Sequence, residues 1–470
     1  MLLRTAEADR AGRIESAAEL ATAEAPEGGA TTNLTTSTGA AGLQPSNRAS
    51  SKAILMIAYH FPPCSVSSGL QRTLSFSRHL PKYGWNPIIL SAHPRAYVRT
   101  SDDQLRDIPE TVPVHRAFCL DTSVHLAFQR RYFSWMALPD QWVSWLVGAV
   151  PAGLKLIRKH RPRVIWSTYP IATAHLIAYT LHRLTGIPWL ADFRDPMVEI
   201  DPVTKQEWPT DPAVRRARRW VERLTIEHCS RAIFAAPGSQ RIYEERYGNV
   251  PRERLALIRN GYEEESFAEI AGTEQPPARD KQQVVLLHAG VLYPSPDRHP
   301  GAFFLALKAL RQAGTISPSN LKVILRASHY QEVYRTLVHQ YALEDMVFLE
   351  PAITYRQALN EMLKVDGLLV FQGHDSNPAI PAKLYEYFRA RRPIFALVDS
   401  EGDTAAELRA ARVGRIVPLD NSEEIAAGLL AFLSEVRTGR YRILADDQLR
   451  QHSRETKTRE LAELLHESFA

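Results

Sequence analysis

One segment near the carboxyl end of the chain, residues 377–388 with the sequence NPAIPAKLYEYF, has a composition suited to binding a diphosphate. It predicts a helix that begins near Ile380 with Pro381 in its first turn, where a missing N–H group costs nothing. The free amides of a first turn attract anions. Lys383 and Glu386 are three residues apart and share a face, which places a cation near phosphates and a carboxylate near ribose or sugar hydroxyls. An ordinary amphipathic helix with a surface lysine and glutamate has the same spacing.

A second polar cluster, Asp192-Phe193-Arg194-Asp195, ends an apolar run that predicts a strand. Side chains at the carboxyl end of such a strand project into the ligand crevice of an open α/β sheet. We therefore predict Asp192 and Arg194 as cleft residues that orient sugar hydroxyls, and Asp195 as a catalytic residue. A buried Asp–Arg pair that only fixes loops is the alternative. His93, after another predicted strand, is a further cleft candidate, although a lone histidine is more often structural.

The residues that bind metals in proteins do not occur here at the usual spacings. Two residues separate Asp192 from Asp195, so the pair is not a D-x-D motif. The cysteines Cys64, Cys119 and Cys229 form neither a CxxC pair nor a zinc-ligand pattern. We predict no metal, no cofactor and no disulfide framework, and a reducing cytoplasm as the compartment.

The elements that must position these residues alternate regularly between apolar runs and helical patterns, which predicts parallel sheets with helices on both faces. The length of 470 residues favours two domains. The predicted class is α/β, with two Rossmann-like doubly wound domains that face a cleft. The predicted boundaries are a disordered tail at 1–51, an N-terminal Rossmann-like domain at 52–265, a linker at 266–283, a C-terminal Rossmann-like domain at 284–435, and C-terminal helices at 436–470.

The bulk composition narrows the class of partner. Hydrophobic residues make up 45% of the chain and charged residues 23%, and no apolar run reaches the roughly 18 residues that a membrane span needs. The formal charge of +5 favours anionic partners such as a sugar nucleotide, a lipid pyrophosphate or an anionic leaflet. The basic and aromatic arrangement of nucleic-acid modules is absent, so nucleic acid is not predicted.

Short motifs occur in a characteristic order along residues 53–435: Phe61-Pro62-Pro63, Gly69-Leu70-Gln71-Arg72, Gly84-Trp85, Asp192-Phe193-Arg194-Asp195, Asn260-Gly261 and Lys383-Leu384-Tyr385-Glu386-Tyr387. No single motif is specific, but the ordered set resembles the retaining GT-B glycosyltransferases of the large family 4. It is similar to the branch that reads P-x-K-x-x-E-Y before a strand led by proline. The resemblance implies the GT-B fold and a UDP- or GDP-sugar donor.

Carried over residue by residue, the resemblance assigns Glu386 to the second acid of the family's E-x7-E element, which holds the ribose hydroxyls. The position of the first acid is occupied by Pro378. Its contact with the transferred sugar must then come from elsewhere, with Asp375 or the backbone amides near Asn377 as candidates. This departure leaves the identity of the donor sugar open.

The resemblance also implies an Arg and Lys pair that neutralises the leaving diphosphate after the first strand of the second domain. Gly290 begins that loop, Arg298 is the nearest candidate, and Arg326 after a later strand is the second. An exposed arginine at a helix start is more often solvated than bound to a ligand. Gly69, with the serines of 65–68, resembles the first-domain loop that approaches donor and acceptor, and a plain turn is the alternative.

The resemblance implies transfer with retention of anomeric configuration. We predict a glycan or lipid-linked acceptor, in cell-surface polysaccharide biosynthesis. The departing diphosphate oxygen helps to deprotonate the acceptor, while Lys383, an arginine and helix amides stabilise its charge. Residues 215–220 and 135–147 are candidates for peripheral contact with the cytoplasmic face of the membrane. The alternatives are a nucleotide-sugar 2-epimerase of the same fold and a non-catalytic partner subunit.

Overall fold

The computed structural model describes residues 3–5, 52–65, 69–129, 131–200, 205–271, 283–292, 294 and 298–469. Of the predicted tail, only Leu3–Thr5 lies in this part. It forms a short strand, β1, paired antiparallel with Arg131–Phe133. Most of the predicted linker, at 272–282, and residues 66–68 of the predicted serine loop lie outside the described residues.

In the described part of the first domain, seven parallel strands form one sheet. In chain order they are β2 (Lys52–Ile57), β3 (Trp85–Ala92), β4 (Val114–Ala117), β6 (Val164–Thr168), β7 (Trp189–Arg194), β10 (Arg231–Phe234) and β11 (Leu255–Leu257), with β5 (Arg131–Phe133) outside this sheet. The spatial order is β11-β10-β7-β6-β2-β3-β4. The strands β8 (Glu199–Ile200) and β9 (Glu207–Trp208) form a separate hairpin.

Six parallel strands form the sheet of the second domain within the described residues. They are β12 (Val284–Ala289), β13 (Leu321–Arg326), β14 (Val347–Glu350), β15 (Gly367–Gln372), β16 (Ile394–Val398) and β17 (Arg415–Val417), in the spatial order β14-β13-β12-β15-β16-β17. β6, β7 and β15 are buried along their whole length, because helices cover both faces of each sheet.

Both sheets reverse their strand order beside their first long strand, and a crevice forms at the carboxyl ends of the strands at such a switch point. The switch lies between β2 and β6 in the first sheet and between β12 and β15 in the second. The predicted doubly wound class is therefore correct. Gly69 and Arg194 lie at the carboxyl edge of the first sheet, and Gly290 lies at that of the second.

The helices of the first domain are α1 (Gly69–His79), α2 (Thr122–His125), α3 (Trp145–His160), α4 (Ala172–Thr185), α5 (Pro212–His228), α6 (Pro237–Arg246) and α7 (Glu264–Ala271). Because α7 continues to residue 271, residues 266–271 of the predicted linker are helical. The later helices are α8 (Gly301–Gln312), α9 (Gln331–Gln340), α10 (Tyr355–Lys364), α11 (Lys383–Ala390), α12 (Asp403–Ala411), α13 (Ser422–Thr438), α14 (Asp446–Gln451) and α15 (Arg454–Phe469).

Two helices matter most for the position of the site. α11 begins at Lys383 with Ala382 as its N-cap. Pro381 therefore precedes the helix, whereas the sequence predicted it in the first turn. α15, at the end of the chain, packs against α1 and therefore joins the last residues of the chain to the first domain. No helix in the described part of the chain has both the length and the apolar character to cross a bilayer.

Candidate functional site

The start of α11 meets the end of β12 through one lysine. The Nζ atom of Lys383 lies 3.5 Å from Nε2 of His288, and a Cβ atom on Gly290 would lie 2.4 Å from the same Nζ. Gly290 also has a φ of +128°, a backbone conformation that side chains disfavour. Only glycine therefore lets the lysine lie directly over this loop, and the predicted residues Lys383 and Gly290 are in contact.

The surroundings of Lys383 favour its neutral form in the ligand-free protein. Removal from water, together with the nearby charge of Arg298, lowers the pKa of Lys383 to about 7. His288 is buried, and its Nδ1 lies 2.9 Å from the carbonyl oxygen of Leu369. Burial and the charge of Lys383 hold the pKa of His288 well below its usual value. The lysine thus faces a neutral imidazole and a guanidinium, an arrangement that an incoming anion would stabilise.

Glu386, one turn further along α11, is buried in a network that spans both domains. Its Oε1 atom accepts a hydrogen bond from the Tyr355 hydroxyl at 2.8 Å and lies 3.4 Å from Nη2 of Arg454. Nη1 of Arg454 in turn donates to Gln71 on α1 at 3.2 Å. Burial raises the pKa of Glu386, against the opposing charge of Arg454.

Arg454, Tyr355 and His288 are site residues that sequence reasoning missed. Arg454 and Tyr355 reach Glu386 from 68 and 31 positions away, so no local spacing indicated them. His288 did carry a signal, because a histidine two residues before the glycine that ends an apolar strand is placed at the carboxyl edge of a sheet.

Asp192 and Arg194, at the end of β7, have different partners. Asp192 is fully buried and pairs with Arg72 through two bonds of 2.9 and 3.0 Å, while the Thr168 hydroxyl donates to it at 3.1 Å. The buried Asp–Arg pair that we considered as an alternative therefore exists, but its arginine is Arg72. Arg194 lies instead against Gly69 and donates to the carbonyl of Tyr169 at 3.4 Å.

The remaining first-domain candidates lie at the same edge of the sheet. Asp195 follows β7, and its backbone N–H donates to the carbonyl of Phe193 at 2.7 Å. His93 follows β3, where its Nδ1 accepts from the backbone N–H of Arg95 at 3.2 Å. His93 caps a short 3-10 turn and lines neither of the two cavities described below.

The segment before α11 is held within the second domain. The Asn377 side chain donates to Asp399 at 2.8 Å, and the Asn377 carbonyl accepts from the N–H of Asp403. Asp375 lies 2.7 Å from His374, and the Ile380 side chain is buried in the core. The Asn377 side chain therefore stabilises the neighbouring loop. Any contact of this residue with a donor would have to use its backbone.

The two arginines of the second domain are placed differently. Arg298 lies close enough to Lys383 and His288 for its charge to lower the pKa of both. Arg326 forms bonds of 2.9 and 2.6 Å with Glu361 and another of 2.9 Å with the carbonyl of Pro351. Since Glu361 and Pro351 already engage its guanidinium, we retain Arg298 and not Arg326 in the proposal below.

The amino end of α6 in the first domain packs against Pro378, which occupies the position of the family's first acid. Ser239 donates to the carbonyl of Pro378 at 2.8 Å, and a Cβ atom on Gly238 would lie 2.5 Å from Cα of Pro378. The N–H of Gly238 also donates to the buried carboxylate of Asp403. The domains therefore meet directly at residue 378.

Two small cavities lie near the cleft in the described part of the chain. The larger is lined from both domains, and Arg72, Arg194, Ala382 and Arg454 are among its lining residues. The smaller lies within the first domain at the switch point of its sheet and also includes Arg194. Because Ala382 is the N-cap of α11, the start of that helix faces the crevice between the domains.

Comparison with known proteins agrees with this architecture. Residues 70–261 match the family model described as a glycosyl transferase 4-like domain. No curated protein matches the chain.

Among solved structures, sucrose-phosphate synthase from Thermosynechococcus elongatus is similar at 14% identity and a TM-score of 0.60, over 88% of this chain and 98% of that chain. HepE from Anabaena, in complex with UDP-glucose, is 12% identical with a TM-score of 0.58, over 88% and 100%. The UDP-GlcNAc 2-epimerase of Neisseria meningitidis, bound to UDP-GlcNAc, is 13% identical with a TM-score of 0.51, over 88% and 100%. These likenesses show that the described chain has the GT-B fold.

Proposed function

We propose that this chain, whose residues 70–261 match a glycosyl transferase 4-like domain, is a glycosyltransferase that transfers a sugar from a UDP-sugar to a glycan or lipid-linked acceptor with retention of configuration. The observation that carries the proposal is the contact of Lys383 with Gly290 at the start of a helix that faces the interdomain crevice. The UDP-sugars bound to HepE and to the epimerase support the choice of nucleotide. A role in cell-surface polysaccharide biosynthesis in the cytoplasm is part of the same proposal.

In this proposal the leaving diphosphate binds over Gly290, where Lys383, Arg298 and the first amides of α11 stabilise its developing charge. A leaving-group oxygen takes the acceptor proton on the face from which the new bond forms. Glu386 accepts hydrogen bonds from the ribose hydroxyls, and Arg454 and Tyr355 hold its carboxylate in place. Asp195 remains a candidate for orienting the acceptor from the end of β7.

A transfer assay tests the proposal. Purified protein is incubated with UDP- and GDP-sugars and with a set of glycan and lipid-linked acceptors, and the anomeric proton of the product is followed by NMR. We expect UDP release that depends on the acceptor, a product with the donor's anomeric configuration, and unchanged turnover in EDTA. An inverted product would contradict retention, and loss of activity in EDTA would contradict the prediction of no metal.

The same assay separates the two alternatives. A 2-epimerase converts UDP-GlcNAc without an acceptor, so a new sugar nucleotide in acceptor-free samples would favour that reading. A non-catalytic partner subunit would give neither reaction. Pro378 occupies the position of the family's first acid, and Ser239 and Gly238 of the first domain pack directly on it. Because this leaves the identity of the donor sugar open, the screen includes donors with different sugars.

The pKa of Lys383 predicts that donor binding takes up a proton. A diphosphate beside the lysine raises a pKa that is about 7 in the ligand-free protein. Between about pH 7 and pH 9, UDP binding should therefore take up to one proton, and affinity should fall as the pH rises. Calorimetry in buffers of different ionisation enthalpy measures the uptake. Lys383→Arg keeps the charge and should abolish this linkage, so equal uptake by the variant would contradict the assignment.

We also propose a peripheral membrane contact, although not through all the residues that the sequence suggested. Arg215 and Arg219 pair with Glu207, and Trp142 and Trp145 are buried. Trp135 is 61% exposed. It belongs to a group of exposed apolar side chains between β4 and α3: Phe118, Val124, Leu126, Phe128, Phe133, Trp135 and Val147.

We propose that this apolar group contacts an anionic bilayer. The exposed side of α3 carries Val147 and then Lys155, Arg158 and Lys159, so apolar and basic side chains lie on one face. Sedimentation with vesicles tests the contact. We expect binding to phosphatidylglycerol vesicles that Phe128→Ser/Trp135→Ser weakens by about tenfold, as expected from the loss of buried apolar area. Leu184→Ser, at an exposed position on α4, is the control. Equal binding by the double variant and by this control would contradict the membrane contact.

A further inference from the structure

The strands β12 and β15 separate at their carboxyl ends, at the switch point of the second sheet. Their last pairing in the described part of the chain joins Leu287 and Leu368, whereas β15 continues to Gln372 beside β16. In a parallel ladder of this register, the next bond would join the N–H of Ala289 to the carbonyl oxygen of Leu369. Both of these backbone groups bond to side chains instead.

Two buried side chains take the place of the missing ladder bond. The N–H of Ala289 donates to the hydroxyl oxygen of Tyr387 at 3.0 Å, and Nδ1 of His288 lies 2.9 Å from the carbonyl oxygen of Leu369. The His288 ring also packs edge-to-face on Phe371 of β15, with 5.2 Å between the ring centres. Because a buried backbone group without a partner is costly, these bonds stabilise the separated strands. We call His288 and Tyr387 the spacer pair.

Each member of the spacer pair belongs to an element that also supplies the proposed donor site. Tyr387 is four residues after Lys383 on α11, so the two side chains share one face of that helix. His288 is two residues before Gly290 at the end of β12. The backbone bond to Tyr387 therefore joins β12 to α11 beside the point where Lys383 lies over Gly290.

The bond to Leu369 also fixes which nitrogen of His288 carries the proton. Burial and the charge of Lys383 hold the pKa of His288 well below its usual value, so the ring is neutral and has one N–H. A carbonyl oxygen only accepts, so this N–H is at Nδ1, and Nε2 is an acceptor that lies 3.5 Å from Nζ of Lys383. Of the charged groups that act on this lysine, Arg298 disfavours the cation and Glu386 favours it. Nε2 adds a neutral acceptor for the amine.

From these observations we infer that His288 and Tyr387 are positioning residues for the donor diphosphate. They hold the carboxyl ends of β12 and β15 apart, which keeps Lys383 over Gly290 with its amine against Nε2 of His288. The inference rests on the proposed transferase function. It adds two residues that act through Lys383 and Gly290 and do not themselves touch the donor.

Replacing His288 with asparagine tests its contact with Lys383. The asparagine amide can donate to Leu369 as Nδ1 does, but it is too short to reach the lysine. Without this acceptor the cation is less stable, so the lysine pKa, about 7 in the ligand-free wild type, should fall. A pKa lower by about 0.5–1 corresponds to about 0.3–0.5 more proton taken up per UDP at pH 6.5, because more of the free variant is neutral. Calorimetry in different buffers measures this difference, to which the phosphates of UDP contribute equally in both proteins.

Replacing Tyr387 with phenylalanine tests the bond between β12 and α11. The variant keeps the ring and removes the acceptor of the Ala289 N–H. In the ligand-free protein, hydrogen exchange at Ala289 should become at least about tenfold faster, because this amide loses its protecting bond. UDP should bind about tenfold more weakly, since Gly290 is no longer held against α11. Mass spectrometry of exchanged peptides and calorimetry measure the two effects.

The chain offers a matched control for each variant. His182→Asn replaces a histidine on α4 whose Nδ1 lies 2.7 Å from the carbonyl oxygen of Ile187, so it has the same kind of bond in the first domain. Tyr441→Phe replaces a half-buried tyrosine in the loop between α13 and α14. Both control variants should match wild type in UDP affinity and in proton uptake.

Either of two results would overturn the inference. One is proton uptake in His288→Asn equal to that in His182→Asn, and the other is UDP affinity in Tyr387→Phe equal to that in Tyr441→Phe. The two variants are independent, so one decides the outcome if circular dichroism shows that the other does not fold. A wild-type protein that fails to bind UDP would instead refute the proposed function, while exchange at Ala289 in the ligand-free protein would still test the spacer pair.

Discussion

Replacing Lys383 with alanine is expected to lower kcat/KM for sugar transfer by about 10²–10³-fold, the range observed when one charge-stabilising group is removed from a transition state. The lysine contacts Gly290 at the start of α11, and a bound diphosphate would restore the charge that burial now disfavours. Because that charge grows as the diphosphate leaves, the loss should fall mainly on kcat. Steady-state kinetics with the best UDP-sugar of the screen measure it.

Two control variants make the Lys383 result specific. Lys383→Arg keeps a cation at the position and should retain more activity than the alanine variant. Arg183→Ala removes an exposed cation of the first domain, on α4, and should leave kcat/KM unchanged. Unchanged turnover in Lys383→Ala would remove the lysine from the mechanism.

The second large effect is expected at Arg454. Arg454→Met leaves the buried carboxylate of Glu386 with Tyr355 as its remaining neighbour from this network, and such a change costs about 3–5 kcal/mol of unfolding free energy. Gln71 also loses its contact, so the link between α15, α1 and α11 is weakened. Urea unfolding measures the free energy, and the KM for the donor should increase because Glu386 is no longer held in place.

A double variant and the pH dependence separate loss of charge balance from loss of packing. In Arg454→Met/Glu386→Gln no unpaired charge remains, so most of the unfolding free energy should return while donor affinity stays low. The pKa of Glu386 is already raised by burial, and removal of Arg454 raises it further. The folded state then binds more protons than the unfolded state, so the single variant should lose more stability at pH 8 than at pH 5. An equal loss at both pH values would indicate a packing defect.

The two effects have different origins in the structure. In the proposed mechanism Lys383 acts on the ligand directly, and burial and the charge of Arg298 disfavour its charge in the ligand-free protein. Arg454 acts through Glu386 and through the contact between the last helix and the first domain. A variant of the first kind should change catalysis with little effect on folding, and a variant of the second kind should change both.

The sequence alone determined the fold class, and it indicated the segment 377–388 that we propose as the donor element. Apolar runs such as 284–289 and 367–371 are local patterns, since a strand covered on both faces must be apolar throughout its length. Glycine at 290 and lysine at 383 were also within reach of sequence reasoning, because each follows from the chemistry of a strand end or a helix start. The start of α11 differed by three residues, since Pro381 precedes the N-cap.

Only the tertiary structure decided the partners of these residues. Arg72 is 120 positions from Asp192, and Arg454 is 68 positions from Glu386. Such pairs depend on how two sheets and a returning helix pack, and no period of 2 or 3.6 residues encodes that packing. The same reason explains why the pairing of Arg326 with Glu361 was not foreseen. Local patterns fix elements, whereas the side chains that meet between elements are fixed by burial and charge balance in the folded molecule.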